Sequence, residues 1–231
     1  MSDLRAGLIE ALEETRSVER EVFAALGTAD RVGPGADGGW SNKDILAHLS
    51  AWRQRQADKL GARREGRADA PDSGAAIDEI NAGIHAERAG WPWDRIVADA
   101  ESTAEALMSE VSNAAIDTLA DPKILAAIMG DGPEHDLGHL SPIAARVGLE
   151  SRVLGLAERT LSILERGGWP ARPAAVARYN LACFYALRGD LDAARSLLRQ
   201  VLPEQEELRT LAPNDDDLLA LRDEIPSLVD G

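Results

Sequence analysis

The sequence has a single cysteine, Cys183, in 231 residues. One thiol cannot form an internal disulfide, so the fold rests on its core, and the cysteine usage points to a reducing, cytoplasmic setting. Aromatic residues are scarce, at 4%. No run of Val, Ile, Tyr or Thr alternates with period two, which argues against strands. No apolar run approaches the roughly 18 residues a membrane span needs. The N-terminus has no basic segment followed by an apolar core, so neither a membrane partner nor a signal peptide is expected. Positive charge is in the minority: 25 Lys and Arg against 40 Asp and Glu leave a net charge of −15 and a pI near 4.7. Such a surface repels phosphates, which excludes nucleic acid as a partner. A Gly-rich phosphate loop is absent too. Lysine occurs only at Lys43, Lys59 and Lys123; with abundant Ala, Gly and Arg, this composition points to a bacterium with a GC-rich genome.

What is abundant is Ala, Leu, Arg and Glu, a helix-forming set. The 45% apolar content supports one core of about 150 residues with an extension, or two small domains. Leu4, Leu8, Leu12, Val18, Val22, Phe23 and Leu26 recur at spacings of three and four, which predicts a helix over 3–26 with one apolar stripe. The glycine-rich stretch 27–39 reads as a loop. A second helix starts at Ser41, with Asp44 completing a variant of the capping box, and its apolar face runs through Leu46, Leu49, Trp52 and Leu60. The polar stretch 61–73 reads as a loop. Helix is expected over 75–88, with a break at Gly90-Trp91-Pro92, then over 93–113. A short helix over 121–129 and a long one over 133–165 follow, the latter ended by Gly167-Gly168. Four long helices with short or medium connections predict an all-α, four-helix bundle.

The histidines carry the chemical signal. Of four, His48 lies on the second helix, and His135 and His139 form an H-x-x-x-H pair on the last long one. Residues four apart stack on one helix face, so two imidazoles can close on one divalent metal and a third from a facing helix completes the set. Three protein ligands leave a coordination position open. Zn, Ni, Mn and Fe are all admissible. His85 lies outside this pattern. Asp44 reads as a capping residue, and Glu134 and Asp136 as helix-start carboxylates, with a hydrogen bond to a ligand imidazole as a further role for one of the two. Trp40, Trp52, Trp91 and Trp93 read as core or pocket wall. Cys183 reads as a small buried residue at a helix crossing.

The phrase Trp40-x-x-Lys43-Asp44-Ile45-Leu46-Ala47-His48-Leu49-x-x-Trp52, followed by His135-x-x-x-His139, resembles the DinB/YfiT-like superfamily. With Asn81 in the third helix, it is similar to the ClbS/DfsB-like branch. The resemblance covers about residues 1–168. It implies an antiparallel four-helix bundle with a metal held by His48, His135 and His139, and small-molecule chemistry such as thiol-dependent S-transfer or isomerisation with mycothiol or bacillithiol as co-substrate. Homodimers are common in the superfamily. Pro142, inside the last helix, departs from the pattern. Residues 169–231 resemble a tetratricopeptide repeat through Asn180-Leu181-Ala182-Cys183-x-Tyr185-Ala186-x-x-Gly189-Asp190 and Ala194-x-x-x-Leu198. This implies a C-terminal tetratricopeptide-like helical hairpin, able to recruit a protein partner, with a capping segment around Leu218 to Pro226. We expect the hairpin, from about Pro173 to Leu202, to be too small to stand alone and to need the bundle or a second subunit. The terminal stretch 203–231 holds nine acidic residues and two arginines, a solvated acidic surface.

Overall fold

The computed structural model describes residues 2–34, 39–67, 76–166 and 169–229. Among them there is no strand, only an isolated bridge between Pro34 and Ser41, and the chain is all-helical. No helix among them is long and apolar enough to cross a membrane. The chain divides into two compact units, Met1–Val153 and Leu154–Gly231.

The first unit holds α1 (Ser2–Ala24), α2 (Thr28–Val32), α3 (Asn42–Arg64), α4 (Ile77–Arg88), α5 (Trp93–Asn113), α6 (Ile116–Leu119), α7 (Pro122–Gly130), α8 (Pro133–Val147) and the start of α9 (Glu150–Glu165). The leucine stripe of α1 is buried as its spacing requires. Ser41 caps α3: its Oγ accepts from the Asp44 amide at 3.2 Å, and Asp44 Oδ2 accepts from the Ser41 amide at 3.1 Å. That satisfies two amides that the helix start leaves without partners. Asp121 caps α7 with its side chain alone, accepting from the amides of Lys123 and Ile124.

Several boundaries differ from expectation. Part of the glycine-rich stretch folds as α2, while residues 35–38 lie outside the described residues. α3 does not stop at Leu60. It passes through Gly61, where a methyl group would sit 3.5 Å from the Glu110 carboxyl, and Arg64 pairs with Glu110 at 3.0 Å. The expected loop 61–73 therefore begins later, and residues 68–75 are outside the described set. The break at Gly90-Trp91-Pro92 is present, with Pro92 as the N-cap of α5. The helix expected over 133–165 is two helices. Gly148 turns into the left-handed region at φ 73°, and the Leu149 amide donates to Ala144 O at 2.9 Å. That closes α8 in the manner of a glycine C-cap, eighteen residues before the expected stop. Pro142 leaves α8 unbroken. The expected Gly167-Gly168 terminator lies outside the described residues.

Packing fixes which helices face the histidines. α3 packs chiefly on α5, and α1 packs on both α5 and α8. α3 and α8 meet over a short stretch. Leu8, Leu46, Leu49, Ile96, Leu107 and Leu140 are fully buried in this unit, each contributing about 1.5–3 kcal/mol of transfer free energy.

The second unit holds the rest of α9, α10 (Ala171–Leu187), α11 (Leu191–Val201), α12 (Glu206–Leu211), 3₁₀-turns over Ala212–Asn214 and Asp216–Glu224, and α13 (Ile225–Val229). The expected capping segment is thus mainly a 3₁₀-helix. α10 and α11 pack on one another, and Leu218, Leu221, Ile225 and Leu228 close over Tyr179, Ala182 and Leu198 in one buried cluster. The hairpin was expected to lack cover of its own. The acidic terminal stretch supplies it: Leu218, Leu221, Ile225 and Leu228 point inward, while Leu211 and Leu219 stay exposed.

Candidate metal centre

His48 comes from the second turn of α3 and is 4% exposed. His135 and His139 come from the first two turns of α8 and are half-buried. Gly132 starts α8, three residues before His135. A methyl group there would meet Ile128 O at 2.8 Å, so only glycine lets α7 turn so tightly into α8. The three rings stand nearly equidistant, with centroids 4.7, 4.9 and 5.1 Å apart and interplanar angles of 70–73°. One nitrogen from each lies within 4.8 Å of the others. His48 Nε2 and His135 Nε2 are 2.9 Å apart.

These residues suit a divalent cation. Two nitrogens each about 2.0–2.1 Å from one ion lie about 2.9 Å apart at a right angle and about 3.4 Å apart at the tetrahedral angle. Burial, then mutual repulsion with His139, lowers the His48 pKa to about 4. Burial, then His48, His139 and Arg53, lowers that of His135 to about 3. Both rings are therefore neutral near pH 7, with a lone pair to offer. The Nδ1 atoms of His48 and His135 are buried and have no hydrogen-bond partner among the described residues.

The three histidines line a cavity of about 360 Å³ with Trp40, Trp52, Asn81 and Asp131. Trp52 Nε1 donates to Asn81 Oδ1 at 3.1 Å, which ties the α3 wall to α4. Trp40 stands edge-on to His48 at 5.0 Å and stacks on His85 at 5.8 Å. His85 thus stands behind the wall, with its Nε2 3.7 Å from Asp44 Oδ1. Trp91 and Trp93 are elsewhere: Arg88 and Arg95 pack on Trp91 at 5.1 and 3.6 Å, and Trp93 meets Phe23 at 6.2 Å.

Asp136 is not simply a helix-start carboxylate. It is fully buried and its Oδ2 accepts from Arg53 Nη1 at 3.1 Å. Arg53 also donates twice to Glu19, and Arg16 donates to Glu19 as well. Arg16 then reaches Glu101 on α5 at 2.8 Å. Burial raises the Asp136 carboxyl well above the usual carboxylate range, against the pull of Arg53. Burial also opposes ionisation of Glu19, but Arg53 and Arg16 outweigh it and hold that carboxyl low. Sequence reasoning missed this cluster. The signal was present: Glu19 falls on the stripe Leu8, Leu12, Thr15, Val22, and Arg53 on the stripe Leu46, Leu49, Leu60, so each put a charge on a core-facing line.

Cys183, Asp215 and Asp217 bring a second set of ligand-type atoms within 4.8 Å, in the second unit. Burial, then Asp215 and Asp217, push the Cys183 thiol well above its usual range. Tyr179 donates to Asp215 Oδ2 at 2.7 Å, and Asp215 Oδ1 accepts from the Asp217 amide at 3.0 Å. These bonds start the 3₁₀-helix and give the group a structural role, and the buried Cys183 sits in the core. No family model, curated protein or solved structure matches the chain.

Proposed function

We propose that the chain is a metal-dependent enzyme acting on a small electrophile, with His48, His135 and His139 as the metal ligands. The observation that carries this reading is the convergence of three imidazoles from two helices on the wall of an aromatic-sided cavity. A scaffold metal needs no such cavity beside it. When bound, a divalent cation would lower the pKa of a thiol or water at its open positions. Trp40 and Trp52 would hold the apolar body of a substrate and limit water, and Asn81, fixed by Trp52, would offer it a polar contact.

The resemblance to the DinB/YfiT-like superfamily favours thiol transfer, with a low-molecular-weight thiol as co-substrate in a bacterial cytoplasm; metal-dependent hydrolysis is the alternative chemistry. The packing of α1 on α5, α5 on α3, α3 on α8 and α8 on α1 closes a ring of four helices and supports the four-helix-bundle reading. The α10–α11 pair supports a tetratricopeptide-like reading of the C-terminal part. That part favours a second reading, in which a metal-stabilised bundle carries a recruiting module.

The test is turnover. Protein reconstituted separately with Zn, Ni, Mn and Fe is offered mycothiol, bacillithiol or simple thiols with electrophilic substrates, and product is followed by mass spectrometry. Metal-dependent conjugates, lost in His135→Ala, are the expected result. Metal-dependent product without thiol would move the reading to hydrolysis. A loaded protein that turns over nothing in such a screen would favour the scaffold.

A further inference from the structure

The two helices that carry the histidines share little of the packing. α3 is seated on α5 and α8 on α1, and the pair meet over a short stretch. Apolar packing between α3 and α8 is therefore a weak constraint on their register. A slide of α8 by even an ångström would change the spacing of His135 and His139 from His48. Directly behind the histidines, however, lies the buried ionic cluster. Arg53 is five residues beyond His48 on α3, and Asp136 is next to His135 on α8. Arg53 bonds Asp136 and Glu19, Glu19 bonds Arg16, and Arg16 bonds Glu101. One chain of hydrogen-bonded polar groups so links α3, α8, α1 and α5. Arg16, Glu19, Arg53 and Asp136 are each no more than 3% exposed.

Buried ion pairs are poor stabilisers: apolar residues of similar volume are often equal or better, because desolvation cancels much of the attraction. Their distinct property is directional. A guanidinium bonded to two carboxylates on two other helices is satisfied in one register, whereas an apolar contact tolerates sliding.

Resting on the metal reading above, we propose that Arg53, with Glu19 and Asp136, is the positioning device of the three-histidine site, fixing α8 against α3 and with it the spacing of the ligands. Residues that orient metal ligands typically change affinity by about 10–100-fold when removed.

The test is Co²⁺ titration of the metal-free full chain, read by its visible absorption. The principal variant is Arg53→Met/Asp136→Asn, which removes the α3–α8 tie and leaves Arg16 and Glu19 paired. Asp136→Leu alone is the second variant, and Arg64→Met/Glu110→Met, an exposed pair between α3 and α5, is the control. Helical circular dichroism and melting temperature establish that each is folded at the titration temperature. The proposal expects the double variant to bind Co²⁺ at least tenfold more weakly and with an altered visible spectrum, and the control to match the unmodified chain in both. Affinity within threefold and an unchanged spectrum in the folded double variant overturn it; if that variant does not fold, the same criterion applied to Asp136→Leu decides. Failure of the unmodified chain to bind Co²⁺ overturns the metal reading and the positioning role together, whereas normal binding in the variants overturns the positioning role alone.

Discussion

At the scale of single residues, the account turns on imidazoles that burial keeps neutral. The pKa values of His48 and His135 lie at about 4 and about 3 in the fold, against about 6.5 in an unfolded chain. Near pH 5 the unfolded state therefore binds about two more protons than the metal-free folded state. These rings cost nothing above pH 6.5. They destabilise the fold progressively as pH falls from there towards about 4 and 3. Urea unfolding of the metal-free protein between pH 7.5 and 5 should show this slope, and His48→Gln/His135→Gln should flatten it. An equally steep fall in that variant would place the acid sensitivity elsewhere. Glu19 makes the opposite case, a charge kept ionised by its neighbours. Glu19→Ala leaves Arg53 and Arg16 short of a carboxylate in the core, and should cost about 3–5 kcal/mol of unfolding free energy. A loss below about 1 kcal/mol would mean that solvent reaches the cluster.

At the scale of elements, helix ends set the geometry of the site. Ser41 starts α3 seven residues before His48, and its capping box is worth about 1 kcal/mol. Ser41→Ala should lower unfolding free energy by about that amount, measured in denaturant, with metal binding retained. Gly132 is less forgiving. Gly132→Val brings a branched side chain against Ile128 O and Leu12 and should displace the start of α8, so it should weaken metal binding as well as stability. Normal metal binding in that variant would mean that α8 is held from its other end.

The sequence made the caps, the stripes and the Pro92 break legible, because each depends on neighbours within a few residues. It made the His135–His139 pair legible because i, i+4 spacing is a local fact, whereas His48, 87 positions from His135, joined the group through the resemblance of its surrounding phrase. It did not reveal that Gly148 ends α8, since a lone glycine inside an apolar helical pattern can also be carried through the helix, and only packing decides that this one turns left-handed. Gly61 misled in the reverse direction: it reads as a breaker, but α3 runs through it to Arg64, held there by the Arg64–Glu110 pair. The Arg53–Asp136 bond joins positions 83 apart, so neither stripe alone could name its partner.

At the scale of the whole molecule, the net charge of −15 governs what can approach. Duplex and single-stranded DNA should show no salt-sensitive binding at micromolar protein, by mobility shift in 50 mM salt. A shift that weakens with salt would overturn the exclusion of nucleic acid. The same field concentrates cations around the protein, so metal binding has to be separated from loose counterion association. The measurement that does so most directly is elemental analysis after reconstitution with excess Zn²⁺ and exhaustive desalting, on the unmodified chain and on His48→Ala, His135→Ala and His139→Ala. The account predicts close to one tightly held ion per chain in the first and most of it lost in each variant, with helical content unchanged. Equal metal content in the variants, or none in the unmodified chain, would contradict the assignment of His48, His135 and His139 as a metal centre.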